Sequence, residues 1–190
     1  DDHRVSARYN RQKFTGKNFE NGGATNAQQH TGDSLVQTDT LNVSLASVFT
    51  PSLFNELRGQ WGKDDEPGKA NSDVPEATVR QGGRTILVVG RNFFSPRYTN
   101  IKRYQVADTA TAIVGDHTVK GGVDYLNDKI DNFFPGNFSG SYTFNSIADY
   151  NRGIPNAAGE TYVQAFPGPG TTGPLTRPNS KEYALFARDE

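Results

Sequence analysis

Residues 41–49 read Leu-Asn-Val-Ser-Leu-Ala-Ser-Val-Phe, so apolar and polar side chains alternate over most of the stretch. Leu41, Val43, Leu45 and Phe49 share one face of an extended chain, and the residues between them largely share the other. A period of two is typical of a β-strand with one apolar and one polar face. The chain therefore contains a strand that separates two different environments.

Short and long connections alternate along the chain. Tight turns are predicted at residues 50–52 and 115–117, and long polar loops over residues 12–34 and 64–83. A short turn on one rim and a long loop on the other is how antiparallel strands of an outer-membrane barrel are connected. We therefore predict an all-β fold of about eight antiparallel up-and-down strands, with the long loops on one rim and residues 1–190 in a single β-rich segment.

Other segments support the same fold class. Strands are predicted over residues 4–11, 35–50, 53–63, 101–114, 118–127, 138–144 and 161–166, and near Lys181. Residues 85–89 form an apolar run between glycines, which is typical either of a strand buried on both sides or of a hairpin arm within a loop. Residues 145–152 predict a single helical turn, and no long helix is predicted.

Composition excludes several classes of protein. Only 34% of the residues are apolar and the mean hydropathy is -0.69, which is too polar for a helical membrane protein but compatible with a barrel. The net charge of -1 gives no electrostatic case for binding nucleic acid, and without cysteine there are no zinc–thiolate sites. The chain opens without methionine and stops inside a predicted strand, so we expect a piece of a longer protein or an incompletely represented chain.

Several stretches, taken in order, carry a resemblance to one family. They are residues 8–12, 49–56 (Phe-Thr-Pro-Ser-Leu-Phe-Asn-Glu), 105–109, 116–124 (Asp-His-Thr-Val-Lys-Gly-Gly-Val-Asp), 132–140 (Asn-Phe-Phe-Pro-Gly-Asn-Phe-Ser-Gly) and 182–190. Their order and spacing resemble TonB-dependent outer-membrane receptors of the Oar-like type, whose large barrel follows a carboxypeptidase-regulatory-like domain and a plug. The resemblance implies an internal barrel segment that lacks the plug and the TonB box.

The function that this resemblance implies is structural rather than catalytic. The strands would wall a substrate-uptake pore in the bacterial outer membrane, with the lipid bilayer on one side and loops that capture an unknown small ligand outside. The alternative is a secreted or shed extracellular β-rich subunit that pairs with copies of itself into oligomers, tubes or fibres, because unpaired strand edges recruit other strands. A soluble sugar-binding sandwich is a third hypothesis, supported by the aromatic residues alone.

Aromatic residues at predicted strand positions allow two interpretations. They are Tyr9, Trp61, Tyr104, Tyr125, Phe138, Tyr142 and Phe144. In a barrel they would form girdles at the membrane interfaces, and in a sandwich they would be core residues. Asp108 falls on the same predicted face as Val106 and Ala110, so in a barrel it must lie away from the bilayer midplane, or the face assignment must shift there.

No catalytic motif is present in the sequence, and we expect no enzyme activity. His3, His30 and His117 are far apart in the sequence and are predicted to be surface residues. Asp64, Asp65 and Glu66 form the one candidate metal site. Three carboxylates on a loop suit Ca²⁺, which accepts irregular oxygen coordination, and the alternative is a solvated acidic loop without a cofactor.

Overall fold

The computed structural model describes residues 2–153 and 162–189, of which 67% are strand. The predicted all-β antiparallel fold is confirmed. The strands are β1 (His3–Glu20), β2 (Gly32–Thr50), β3 (Leu53–Ala70), β4 (Glu76–Gln81), β5 (Arg84–Val89), β6 (Arg97–Val114), β7 (His117–Phe133), β8 (Ser141–Phe144), β9 (Tyr162–Val163), β10 (Leu175–Thr176) and β11 (Ser180–Asp189). The predicted helical turn is the short helix α1 (Ile147–Arg152), and two 3-10 turns occupy Gln28–His30 and Gly136–Ser139.

The strands form two sheets. The long sheet has the order β1-β2-β3-β6-β7, and β10 and β11 both pair with the far side of β7. The small sheet has the order β5-β4-β8-β9. Every ladder of the long sheet is antiparallel, whereas β4 and β8 of the small sheet are parallel. Within the described part of the chain β1 and β11 do not pair, so the long sheet remains open.

The two predicted turns lie together on one edge, which we call the turn rim. They join β2 to β3 and β6 to β7, and both strand pairs are directly hydrogen-bonded neighbours, as predicted. The long connections lie on the opposite edge, the loop rim. They comprise residues 21–31, residues 71–96 with the β4–β5 hairpin, and the segment after β7 that carries β8, α1, β9 and β10.

The strands are longer than predicted. β1 continues to Glu20, β3 continues to Ala70, and β7 continues to Phe133, so much of the predicted loop sequence is paired strand. Residues 85–89 lie in a hairpin arm within the loop, which was one of the two interpretations. The strand predicted over residues 138–144 is reduced to β8 because the residues before it form a 3-10 turn. Residue 161 of another predicted strand lies outside the described residues.

Register sorts the side chains of the long sheet onto two faces, because directly opposite residues of an antiparallel ladder point the same way. The apolar face contains four successive rows: Tyr9, Leu41, Trp61, Tyr104 and Asn127; Ala7, Val43, Gly59, Val106 and Tyr125; Val5, Leu45, Leu57, Asp108 and Val123; His3, Ser47, Asn55, Ala110 and Gly121. The polar face contains the rows between them, such as Arg8, Asn42, Gln60 and Gln105. The predicted division of β2 into an apolar and a polar face is therefore confirmed for Leu41, Val43 and Leu45, and Phe49 lies at an irregularity of the β2–β3 register.

The small sheet supplies the buried apolar core at the loop rim. Ala77, Val89 and Phe144 pack together, and Val79 is fully buried. The loop of residues 21–31 is fastened to this sheet, since the backbone N–H of Ala27 donates to the carbonyl of Val88 at 2.9 Å. The loop rim is thus a folded unit rather than a set of independent loops.

Helix α1 packs beside this core with a complete set of caps. The Ser146 hydroxyl accepts the backbone N–H of Asp149 at 3.0 Å and lies 2.7 Å from its carboxylate, and Gly153 ends the helix in a left-handed conformation. The hydrogen bond from Ser146 and the neighbouring Arg152 hold the pKa of Asp149 below its usual value. No helix among residues 2–153 and 162–189 is long and apolar enough to cross a membrane.

One glycine at the base of the β4–β5 hairpin is sterically required. Gly90 has a φ of 79°, and a Cβ there would overlap the carbonyl of Pro75. Gly83 has a φ of 78° at the hairpin tip, where a Cβ would meet nothing within 4 Å. We expect Gly83→Ala to cost about 1–2 kcal/mol through its backbone conformation alone. Gly90→Ala should cost clearly more and expose the hairpin to proteolysis. Equal cleavage rates for the two variants would show that the Pro75 contact is unimportant.

Candidate functional site

The polar face of the long sheet carries a dense hydrogen-bonded set of side chains. Gln105 Nε2 donates to the two carboxylate oxygens of Asp124 at 3.0 and 2.9 Å. Arg103 binds Asp128 through two parallel hydrogen bonds, from Nε at 2.9 Å and from Nη2 at 2.7 Å. Gln60 Nε2 donates to Asn42 Oδ1 at 2.9 Å. These contacts cross strand boundaries and hold the polar side chains in place.

A concave space of about 390 Å³ lies on this face, halfway along the strands. Its lining includes Arg8, Arg58, Asn42, Gln60, Gln105 and Asp124. Within the described residues Arg8 and Arg58 make no ion pair, whereas the nearby carboxylate of Asp124 accepts from Gln105. The concavity therefore offers two guanidinium groups, one of which also donates from Arg8 Nε to Asn10 at 3.0 Å, beside amide donors and acceptors. Such a surface suits polar or anionic solutes.

A buried ion pair lies at the loop-rim end of the polar face. Arg97 Nη2 donates to Glu20 Oε1 at 2.7 Å, and the hydroxyl of Ser95 donates to Glu20 Oε2, also at 2.7 Å. The side chain of Glu20 is only 8% exposed, and Ser95 is fully buried. Gly68 leaves room for the carboxylate, since a Cβ there would approach both Glu20 oxygens to 2.9 Å. These contacts connect the loop-rim ends of β1, β3 and β6.

Three phenylalanine rings, the Phe cluster, lie next to this ion pair. Phe93, Phe94 and Phe134 contact one another edge-to-face, with ring centroids 5.4, 5.8 and 6.0 Å apart. Each ring keeps 38–44% of its surface exposed. The sequence signal for this cluster is its two Phe-Phe pairs, at residues 93–94 and 133–134, from which no binding site was predicted.

A second concave space, of about 370 Å³, adjoins the Phe cluster. Phe94 and Phe134 line it together with Glu20 and Arg97, and Thr99 at its floor donates to Asn132 at 2.8 Å. The space combines ring faces with a guanidinium group and a carboxylate, a mixture typical of small-molecule binding sites.

The candidate calcium ligands do not converge. Asp64, Asp65 and Glu66 lie inside β3 rather than on a loop, so alternate residues point to opposite faces. Asp64 accepts a hydrogen bond from Thr38 at 2.8 Å on the polar face, whereas Asp65 pairs with Lys63 on the other. In the described part of the chain no group of three potential ligands is placed to hold a metal ion.

The histidines occupy three different environments. His30 is buried at 5% exposure, with Nε2 3.9 Å from Glu76, so its predicted surface position is wrong. The 3-10 turn that carries it is covered by β5. His3 contacts Ser47 at 3.0 Å, and His117 lies 3.0 Å from Asp189 at the turn rim.

The aromatic residues divide between the two interpretations. Tyr9, Trp61 and Tyr104 lie in one row of the apolar face, and Tyr125 lies in the next row. Phe138, Tyr142 and Phe144 do not share this face. Phe144 is 6% exposed in the core of the small sheet, Tyr142 packs against that core, and Phe138 lies in a 3-10 turn. The core interpretation therefore applies to the small sheet.

Asp108 lies on the apolar face without any shift of register, opposite Leu57 and Val123. Its position is central in the nine residues 104–112 that β6 contributes to this face. The carboxylate is not bare, because Asn55 Nδ2 donates to it at 2.8 Å. The register therefore shows no shift of the face assignment at Asp108, and its position relative to the bilayer midplane stays a prediction.

Comparison with known proteins supports the two-faced sheet. A family model described as "Outer membrane beta barrel domain" matches residues 1–190 of the chain. No curated protein and no solved structure gave a significant match.

Proposed function

Because this chain belongs to the outer membrane β-barrel domain family and therefore to the bacterial outer membrane, we propose that it forms one segment of a TonB-dependent receptor barrel of the Oar-like type. The apolar face meets lipid, the polar face walls a substrate-uptake pore, and the loop rim captures a small ligand outside the cell. Short turns of such barrels face the periplasm and long loops face outward. The segment is structural and catalyses no reaction.

The observation that carries the lipid-facing role is the length of the apolar stretch. On β2 it covers residues 41–49, on β3 residues 53–61, and on β6 residues 104–112, which is nine residues on each strand. A tilted strand needs roughly 9–11 residues to cross a bilayer. Aromatic side chains end this stretch on its loop-rim side, as the girdle of a membrane barrel requires. In the isolated chain the apolar side chains of this face are uncovered, as a lipid-facing surface requires: Val106 is 50% exposed and Leu185 is 82% exposed.

The uptake role is supported by the chemistry of the polar face. Arg8 and Arg58 border the mid-strand concavity, and the Arg103–Asp128 pair lies nearer the loop rim. A solute moving from the middle of the strands to the loop rim meets fixed polar side chains on this part of the path.

Ligand capture is supported by the space beside the Phe cluster. The rings contact one another, and the Glu20–Arg97 ion pair fixes the polar side chains of the same space, so binding would cost little ordering of side chains. The ligand that fits has a ring or apolar part for Phe94 and Phe134 and a polar group for Arg97.

Uptake by cells tests this proposal. Cells with and without the full-length protein are offered labelled oligopeptides, oligosaccharides and ferric chelates, with a protonophore as a further arm. We expect energy-dependent uptake of one class. Phe94→Ala combined with Phe134→Ala should weaken binding about tenfold or more, because each aromatic contact contributes ~1 kcal/mol. Phe166→Ala is the matched control, since that ring is 73% exposed away from the cluster. Equal uptake with and without the protein contradicts the receptor role.

Self-assembly is the second candidate function, and the open edges of the long sheet favour it. One side of β1 and one side of β11 have no ladder partner within the described residues. In a barrel these edges pair with further strands, and in a shed subunit they pair with copies of the chain. Native material that stays in aqueous buffer without detergent, as oligomers or fibres, would favour self-assembly over the receptor.

A further inference from the structure

A row of charged residues follows the last aromatic row of the apolar face, one step toward the loop rim. Arg11, Asp39, Lys63, Lys102 and Lys129 stand directly opposite one another on five neighbouring strands. We call these residues the charged row. The step from the aromatic row is two residues, or about 7 Å along a strand. The charged row therefore lies just beyond the proposed girdle, on the side that faces lipid.

Most of these charges have partners within the protein. Arg11 lies 3.7 Å from Asp39, which also accepts a hydrogen bond from Tyr9. Lys63 pairs with Asp65 on its own strand. In the described part of the chain, Lys102 and Lys129 contact no carboxylate.

Lys102 and Lys129 form the unbalanced part of the row. They are directly opposite each other on β6 and β7, and Lys63 is directly opposite Lys102 on the other side. Like charges in directly opposite positions repel and destabilise a sheet. Lys129 is held over the ring of Tyr104, with Nζ 6.0 Å from the centroid, so its ammonium group stays at the edge of the girdle. Two adjacent exposed lysines without a counterion mark a place for an external anion.

The surface around these lysines is shaped as well as charged. A depression of about 480 Å³ is lined by Lys63, Lys102, Lys129 and, from the loop beyond β10, Arg177. The Arg177 guanidinium donates to Asp131 at 2.9 Å, which fixes it at the border of the depression. Asp65 pairs with Lys63 and Asp131 pairs with Arg177, so the remaining charge of about +2 comes from Lys102 and Lys129.

We propose that this depression binds a phosphate group of an outer-leaflet lipid. The inference rests on the proposed lipid-facing role of the apolar face. Lipid phosphates lie at the depth just beyond an aromatic girdle, where lysine and arginine are favourable. The phosphate of such a lipid would pair with the two lysines. Its acyl chains would cover the adjacent rows of the apolar face.

Lipid binding by the full-length protein, purified from outer membranes, tests this inference. Native mass spectrometry measures retention of diphosphorylated lipid A and of dephosphorylated lipid A. We expect Lys102→Gln and Lys129→Gln each to weaken retention of the phosphorylated lipid about fivefold, since one lysine at an anionic surface contributes ~1 kcal/mol. The double variant should lose about 25-fold, and the Lys102→Arg, Lys129→Arg variant should retain binding.

Lys120→Gln is the matched control, because Lys120 lies on the polar face near the turn rim. It should leave lipid retention unchanged. The inference is overturned if the double Gln variant, folded and inserted, retains lipid like the parent protein, or if both forms of lipid A are retained equally. Displacement of the lipid by millimolar inorganic phosphate would show a free-anion site instead. If the lysine variants insert correctly and bind lipid like the parent protein, only this inference is wrong. The lipid-facing role itself is tested separately, by the effect of Val43→Lys on insertion.

Discussion

Val43→Lys is expected to remove most of the folded protein from the outer membrane, whereas Ser44→Lys should leave most of it in place. Val43 lies inside the apolar stretch of β2, one row from its centre, and is 41% exposed on the face proposed to meet lipid. A lysine near the bilayer midplane costs about 2–4 kcal/mol. Ser44 lies on the polar face, where its hydroxyl is 2.7 Å from that of Ser6, and a lysine there can extend into the aqueous lumen.

The measurement is the fraction of full-length protein that resists unfolding in detergent, recovered from outer membranes of cells expressing each variant at equal levels. Because both variants introduce a lysine at neighbouring positions of β2, the comparison controls for side-chain length and for the β-propensity of lysine. Equal losses for the two variants would indicate a strand buried on both faces, and the barrel interpretation of this face would then be wrong.

The second large effect is expected at the buried ion pair of the loop rim. Arg97→Gln leaves the Glu20 carboxylate with the Ser95 hydroxyl as its remaining side-chain donor among the described residues, although the Glu20 side chain is only 8% exposed. Loss of a charged hydrogen bond of this kind costs roughly 1.5–3 kcal/mol. The segment that carries Phe93 and Phe94 should therefore open more often, and ligand binding beside the Phe cluster should weaken in parallel.

Hydrogen exchange at residues 91–99 measures this opening. Arg84→Gln is the control, because Arg84 lies exposed on β5 and makes no ion pair among the described residues. Glu20→Gln combined with Arg97→Gln should recover part of the lost protection, since no unpaired charge then remains. Unchanged exchange in Arg97→Gln would mean that the ion pair does not hold the loop rim together.

The sequence predicts the parts of the fold whose two faces differ in polarity. Alternation along residues 41–47 specifies both faces of β2 correctly because one face is apolar and the other polar. The tight turns were equally predictable, since two antiparallel neighbours need only a few residues between them.

The same alternation is absent from the loop-rim ends of the strands. Residues 13–20 and 64–70 continue as strands, although they contain glycine, asparagine and adjacent charges. Their backbone ladder does not depend on side-chain polarity, so no period of two is required there. This is why Asp64, Asp65 and Glu66 were expected on a loop and are found on a strand.

The candidate site was largely beyond sequence reasoning. The Phe cluster brings together residues about 40 positions apart, at the loop-rim end of the β6–β7 ladder, where Tyr98 stands opposite Phe133. The partner of Glu20 is 77 residues away in the chain. Periodicity reports only local geometry, so neither contact leaves a pattern, although two Phe-Phe pairs in predicted loops were a usable hint.

Spin-label accessibility along β2 tests the central claim most directly. The chain contains no cysteine, so single cysteines at positions 41–46 each give a defined label within it. In the full-length protein reconstituted in lipid, positions 41, 43 and 45 should be accessible to oxygen dissolved in the bilayer. Positions 42, 44 and 46 should be accessible to a water-soluble nickel complex. A period of two with this phase is the predicted result, and the absence of alternation or the opposite phase would contradict the account.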